Sequence, residues 1–439
     1  MSEVRKIVLE LLAQLGSSRE ARQYLKEFSS VDELRFAVVK VGGRILLDQL
    51  DELASALAFL HRLGLRPVVL HGAGPQVDEA LSKAGVESKK HDGLRVTCES
   101  VMSVARPVIY AQNMKLVEAL EQKGIRARGI AHGIFQCDYL DREKLGLVGE
   151  ITGVNLEALH SAVRGGALPV LTCLGESESG QVLNINADIA AAELVRAIRP
   201  HKIIFLTPTG GLLDRNGRVI SAISLDNDYE SLMKEPWVHS GMRLKLQQIN
   251  GMLSGLERDA SVSITSADQL TRELFTYRGA GTLVRKGEEV RVYETPDAEV
   301  LGQVVKRVES SFGRTLRDDW APGLHEPLVL LSESTRAAAV VVEGLDGIPY
   351  LDKFIVTRDA QGEGLGAAMW QVMRARFPKM YWRAKASNPV TGWYFQQADS
   401  SYRQDKWVVF TIGIRDAGQR ERVIQDAFAR DSGWNEARA

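Results

Sequence analysis

The chain has 439 residues, more than one hydrophobic core comfortably serves, so two or three domains are expected. Its formal net charge of −1, with 25% charged residues, gives no overall electrostatic footprint for nucleic acid or an anionic membrane; neither is expected as a partner, and small anionic ligands must be met by local charge. Cys98, Cys137 and Cys173 form an odd, widely spaced trio without any CxxC, which argues against a disulfide framework or a structural zinc site and reads as reduced thiols in the cytoplasm.

The opening stretch MSEVRKIVLELLAQLG has its apolar run broken by charge and lacks a small-residue cleavage site, so it reads as neither a signal peptide nor a membrane span. Apolar positions at helical spacing (Val4, Ile7, Val8, Leu11, Leu12; then Ala21, Tyr24, Leu25) on either side of Gly16-Ser17-Ser18 predict two short helices within residues 1–29. From Phe36 the pattern changes. Short β-branched runs (FAVVKV, PVVLH, ALPVLTC, KIIFLT, SVSIT) alternate with helical stretches such as DELASALAFLHR and DIAAAELVRAI, which predicts an open, mostly parallel sheet with helices on both faces over residues 30–285. A polar linker is expected at 286–290. Residues 291–439 hold most of the tryptophans, and their strand runs (EPLVLLSES, AAAVVVEG, YLDKFIVT, KMYWRA, WVVFTIG) are nearly contiguous, as in an antiparallel or mixed α+β sheet with few helices.

Two glycine-rich turns lie at strand-to-helix junctions, where backbone N–H groups gather around an anion. Lys40-Val41-Gly42-Gly43 carries a lysine; Gln361-Gly362-Glu363-Gly364-Leu365-Gly366 carries none. Within the first region His71-Gly72-Ala73-Gly74-Pro75, Arg95 in DGLRVT, Asn184 and Asp188 in LNINAD, the turn Thr207 to Leu212 with Gly210 and Gly211, and Lys245 in SGMRLK join the lysine turn as candidates for anion handling. Each has a plainer reading. Asp188 could cap the helix that follows it, His71 could be a hydrogen-bonded strand end, and Arg95 and Lys245 could be solvated surface charges.

In this order the motifs VKVGG, HGAGP, DGLRVT, LNINAD, FLTPTGG and SGMRLK resemble the amino acid kinase family, and most closely its N-acetylglutamate kinases. The resemblance implies that Lys40 and Lys245 contact the phosphoryl oxygens of ATP and that Asp188 holds both lysines. It implies backbone donors at Gly42, Gly43, Gly72, Ala73 and Gly74, Arg95 and Asn184 on the carboxylates of N-acetyl-L-glutamate, and Thr207, Gly210 and Gly211 at the nucleotide. Ala73 stands where many bacterial members have a third glycine. A side-chain carboxylate, with a pKa near ~4.3, is already a nucleophile at neutral pH, so charge neutralisation and positioning are what the reaction needs. Mg²⁺ is expected to ride on the nucleotide phosphates.

The second turn matches the Gln/Arg-x-x-Gly-x-Gly/Ala pyrophosphate loop of GNAT acetyltransferases. LDKFIVT, the spacing from Trp382-Arg383 to Asn388, and Trp393-Tyr394-Phe395 resemble the acetyltransferase domain of vertebrate-like N-acetylglutamate synthases. The resemblance places acetyl-CoA on Ile355, Val356, Gln361, Gly362, Gly364 and Gly366. It assigns L-glutamate to Lys353, Arg383 and Arg314, positioning of the amine to Asn388, and protonation of the departing thiolate to Tyr394. The plainer reading makes Trp393, Tyr394 and Phe395 core aromatics and Asn388-Pro389 a turn. The combined expectation is a bifunctional synthase and kinase of arginine biosynthesis, with L-arginine as effector and a homo-oligomer built through the kinase domains and the N-terminal helices. The alternatives are a synthase whose kinase-like domain only binds arginine, and a non-catalytic amino-acid sensor.

Overall fold

A computed structural model describes residues 36–238, 240–256, 260–275, 281–357, 360 and 364–435. The helical pair expected before residue 30, and Gln361 and Gly362, lie outside them. The chain divides into two compact units, the first ending at Lys286 and the second starting at Gly287. Part of the expected linker already belongs to the second unit: Glu288 pairs with Arg336, and Val290 opens a strand. No helix among the described residues is long and apolar enough to cross a membrane.

Eight strands form the main sheet of the first unit: β1 (Ala37–Val41), β2 (Val68–His71), β3 (Ala127–Ile130), β4 (Leu168–Leu171), β5 (Lys202–Leu206), β6 (Ala222–Ser224), β7 (Ser261–Thr265) and β8 (Thr282–Arg285). Their order is β6-β8-β7-β5-β1-β2-β4-β3, parallel throughout except for β7 against β8. Alternation within β1 feeds both faces. Val38 joins one apolar core and Ala37, Val39 and Val41 the other, as a strand covered on both sides requires. Val41 pairs with His71 on one side and Leu206 on the other, so three strands end level beside Lys40. The chain leaves β1 for β2 on one flank while β5 occupies the other, a strand-order reversal of the kind that opens a ligand crevice. A separate four-stranded sheet, with Val182–Asn184 and Leu174–Glu176 at one edge, was not anticipated from the sequence; it delivers Asn184.

The second unit is a seven-stranded mixed sheet, β9 (Val290–Tyr293), β10 (Leu328–Ser332), β11 (Ala337–Val342), β12 (Tyr350–Val356), β13 (Met380–Lys385), β14 (Ser400–Gln404) and β15 (Trp407–Ile412), ordered β9-β10-β11-β12-β13-β15-β14. Every pairing is antiparallel except β12 with β13. Helices Ala298–Phe312 and Ala417–Ala429 pack their valines and alanines on one face, and Leu365–Arg376 and Thr391–Gln397 cover the other.

Candidate active sites

In the first unit each anion-handling turn sits where a strand hands over to a helix. Helix α1 (Gly43–Asp48) starts directly after β1, α2 (Gly74–Lys83) after β2, and α3 (Ala187–Ile198) after Val182–Asn184. Gly43 is needed for close approach. A Cβ there would stand 2.8 Å from Gln76 Oε1 and 2.9 Å from Pro75 Cδ, while the Gln76 amide donates to the Gly43 carbonyl at 2.8 Å. The turns enclose a cavity of about 290 Å³, at the small end of ligand sites (~300–1,000 Å³). Lys40, Gly42, Gly43, Gly72, Ala73, Gly74, Arg95, Asn184 and Asp188 all line it. Thr207, Gly210, Gly211 and Lys245 fall outside that lining.

Lys40 Nζ lies 2.5 Å from Asp188 Oδ1, and both side chains are largely covered. Burial pushes the Asp188 carboxyl up, but the charge and hydrogen bond of Lys40, together with Lys245, outweigh it and hold the group below its usual range. Lys245, on α4 (Ser240–Ser254), is half-buried; burial lowers its ammonium to about 8, Lys40 adds to the lowering and Asp188 opposes it. The three groups thus share one field. Asp188 is not the helix cap: Asn186 is, its Oδ1 accepting from the N–H groups of Asp188 and Ile189. That leaves the Asp188 carboxylate free for lysine, in the first turn where the helix dipole favours negative charge.

The Arg95 side chain is only 9% exposed, against the surface reading; it pairs with Asp78 at 2.6 Å and donates to Ser88 Oγ at 2.6 Å. Asn184 donates to Thr97 Oγ1 at 3.1 Å. His71 takes the strand-end reading. Burial lowers it to about 4, and Asn113 donates to its Nε2 while also bonding the Val170 carbonyl, so the imidazole is a neutral brace between β2 and β4. Thr207 continues β5, with its N–H on the Thr265 carbonyl, and Gly210 closes the turn onto the Thr207 carbonyl. Gly211 is walled in by Val219 and Thr282, a packing requirement that accounts for its lack of a side chain.

In the second unit β12 and β13 pair only at Tyr350–Tyr381 and Leu351–Trp382. Beyond that point no further ladder pair joins the two strands among the described residues, while Ile355 and Val356 pair with Ala338 and Ala337 of β11. Gly364, at φ +80°, starts the 12-residue helix Leu365–Arg376, and a Cβ on Gly366 would stand 3.0 Å from Val356 Cγ2. A helix N-terminus beside a strand gap can receive an extended arm ending in pyrophosphate.

Tyr394 is buried among Trp382, Trp393 and Phe410, with ring centroids 5.5 to 5.6 Å away. Burial pushes its phenol well above the ordinary value, so it stays protonated and holds a proton to give. The buried phenol is a weaker acid than a free one. Lys353 is 7% exposed. Its ammonium bonds Asp352 at 2.7 Å and the Ser432 carbonyl at 3.2 Å, with the rings of Trp320 and Trp434 at 5.0 and 5.7 Å. Arg314 stacks 5.0 Å over the same Trp434, so these two expected carboxylate contacts do come together. Arg383 departs from expectation. Its NH1 and NH2 donate to the carbonyls of Ala427, Phe428 and Arg430, capping the end of Ala417–Ala429, because those orphan carbonyls need donors. Asn388 accepts from the Val390 N–H in the turn before Thr391–Gln397, as its plainer reading held.

The amino acid kinase family model matches residues 35–258, half of the chain. The chain belongs to the amino acid kinase family. A second model, the N-acetyltransferase of N-acetylglutamate synthase, matches residues 286–430, so the two units are a kinase domain fused to a synthase-type acetyltransferase domain. The acetylglutamate kinase of Xanthomonas campestris is 47% identical over 420 residues, covering 95% of this chain and 99% of that protein. The human mitochondrial N-acetylglutamate synthase is 30% identical over 436 residues, covering 97% of this chain and 78% of that one. A solved N-acetylglutamate synthase from Neisseria gonorrhoeae, complexed with coenzyme A and N-acetylglutamate, matches in fold with a TM-score of 0.61 at 18% identity, covering 90% of this chain and 98% of its own.

Sequence reasoning passed over Asp78, Asn186, Asp352, Trp320 and Trp434. Asn186 had a signal, an Asn just ahead of an apolar helical run. The others are tertiary pairings without local pattern. The lowered Lys245 ammonium gives a pH prediction. If the nucleotide phosphates meet Lys245, as the resemblance implies, they favour its charged form, and ATP binding at pH 8.5, above the free value of about 8, takes up a large part of one proton. Calorimetry in buffers of different ionisation enthalpy should show that uptake in the wild type and lose it in Lys245→Met; proton-neutral binding by the wild type would remove Lys245 from the phosphates.

Proposed function

We propose that this chain carries out two consecutive reactions: acetyl transfer from acetyl-CoA to L-glutamate in the second unit, then ATP-dependent phosphorylation of the side-chain carboxylate of N-acetyl-L-glutamate in the first. The observation that carries the kinase half is the Lys40–Asp188 pair at 2.5 Å with Lys245 in the same field, set against a glycine cradle. A pocket that only bound an effector would have no use for two lysines set in the field of one largely covered carboxylate.

In the kinase step two anions must meet. Lys40 and Lys245 neutralise charge on the transferring and leaving oxygens, while the N–H groups of Gly42, Gly43 and Gly74 hold the phosphoryl oxygens without reorganising. Arg95 and Asn184 grip substrate carboxylates. Mg²⁺ enters with the nucleotide and adds further charge neutralisation. In the synthase step the neutral α-amine of glutamate attacks the thioester carbonyl; the C–N bond forms, the C–S bond breaks, the amine proton passes to water and the Tyr394 phenol protonates the sulfur. Lys353 and Arg314 hold the glutamate carboxylates, and Ile355 and Val356, past the last β12–β13 pair, take the pantetheine arm. L-arginine as effector, assembly of like chains through the kinase unit and residues 1–29, and a cytoplasmic setting complete the reading, the last supported by three free cysteines.

Hydroxylamine trapping of acyl phosphate from ATP and N-acetylglutamate, alongside thiol release from acetyl-CoA and glutamate, tests both halves, each with and without L-arginine. Both products are expected. Thiol release without acyl phosphate would move the first unit to an effector-binding role, and neither product would leave a ligand sensor.

A further inference from the structure

We infer that Asp352 is a positioning residue of the glutamate site, an internal carboxylate that fixes the Lys353 ammonium for the substrate carboxylate; this rests on the synthase reading of the second unit. The backbone places it there. On β11 the consecutive residues Val340 and Val341 pair with Lys353 and Leu351, so Asp352 is the extra residue of a β-bulge in β12. A bulge breaks the strict alternation of a strand and re-aims side chains. Asp352 and Lys353, neighbours in sequence, consequently both meet Trp320, which belongs to the core under Ala298–Phe312: Asp352 through the Trp320 indole N–H at 3.0 Å, Lys353 through the ring.

The group is built to hold its geometry. The Asp352 and Lys353 side chains are 13% and 7% exposed. The chain from Asp431 to Asn435 folds over them, with the Arg317 N–H on the Gly433 carbonyl and the Asn435 N–H on the Thr315 carbonyl. Gly433 lies so close to Trp320 that a Cβ would collide with the indole. Trp434 then presents one ring to two cations, Lys353 and Arg314. A buried ammonium stripped of its counter-charge is strongly disfavoured and leaves its place. With Asp352 present, Lys353 is fixed on one side by carboxylate and indole, and the substrate carboxylate can join as a second anion between Lys353 and Arg314.

Asp352→Asn keeps the shape and an acceptor for the Trp320 indole and removes only the charge. In the full-length chain the KM for glutamate should rise about tenfold, with kcat within about threefold and the KM for acetyl-CoA unchanged. Acyl-phosphate formation by the first unit of the same chain should not change. Trp320→Phe, which keeps a ring but drops the indole donor, should raise the glutamate KM by a smaller factor. An unchanged or lower glutamate KM in Asp352→Asn would overturn the inference, as would a parallel loss in both KM values with a lowered Tm, the mark of a merely structural acid. If the wild-type chain forms no N-acetylglutamate, the synthase reading itself fails; if it does and the variant matches it, only the role of Asp352 fails.

Discussion

Lys40→Ala is expected to lower acyl-phosphate formation about 10³-fold or more, while acetyl transfer by the same chain continues at the wild-type rate. The size follows from where the side chain sits. Lys40 is largely covered at the level end of three parallel strands, 2.5 Å from a carboxylate that it and Lys245 hold ionised. In that partly desolvated place a positive charge is worth far more to a developing phosphoryl transition state than it is in water. Asp188→Asn should be nearly as severe, on the order of 10²-fold, for a different reason. The lysines lose their shared counter-charge, and Lys245, already lowered by burial and by Lys40, loses the one influence that raises it. The trapping assay on each variant, with thiol release as the internal control for folding, reads both effects. Wild-type acyl-phosphate rates in Lys40→Ala would end the kinase assignment.

The second large effect is expected from Tyr394→Phe: a loss of roughly 10²- to 10⁴-fold in the kcat for acetyl transfer, with the kinase reaction intact. This substitution separates chemistry from packing unusually well. The ring lies in a cluster with Phe354, Trp370, Trp382, Trp393 and Phe410, and phenylalanine preserves all of those contacts. The hydroxyl it removes has no hydrogen-bond partner among the described residues, so folding should lose nothing and Tm should hold or rise. Thiol release with both substrates saturating gives kcat. A value within threefold of wild type would return Tyr394 to the role of a core aromatic.

Much of this was readable from the chain itself, and the parts that were not have identifiable causes. The strands β1, β2, β5 and β7 are apolar, β-branched runs bounded by glycine, proline or polar turns, so both their existence and the parallel sheet followed from local pattern. The order of six short motifs was enough to gather Lys40, Asp188 and Arg95, residues distant in sequence, into one cavity. What escaped was pairing decided in three dimensions. Nothing local says that Arg95 meets Asp78, or that Arg383 spends its donors on the carbonyls ending Ala417–Ala429. The bulge at Asp352 is equally hidden, because a one-residue change of register leaves the hydrophobicity of LDKFIVT unaltered. Asp188 shows the converse case: its neighbour Asn186 takes the capping role, and that leaves the carboxylate to pair with Lys40.

The parting of β12 from β13 has a mechanical side. The seven-stranded sheet is two antiparallel blocks, of four and three strands, and across their seam the backbone is joined at two residue pairs. Such a seam is where heat or denaturant would first open the domain. On the proposed placement of acetyl-CoA beside β12, the bound carrier would add contacts across this seam and tie the two blocks together for as long as it stays. On that reading the domain would be most rigid while charged with its donor and loosest once the carrier departs.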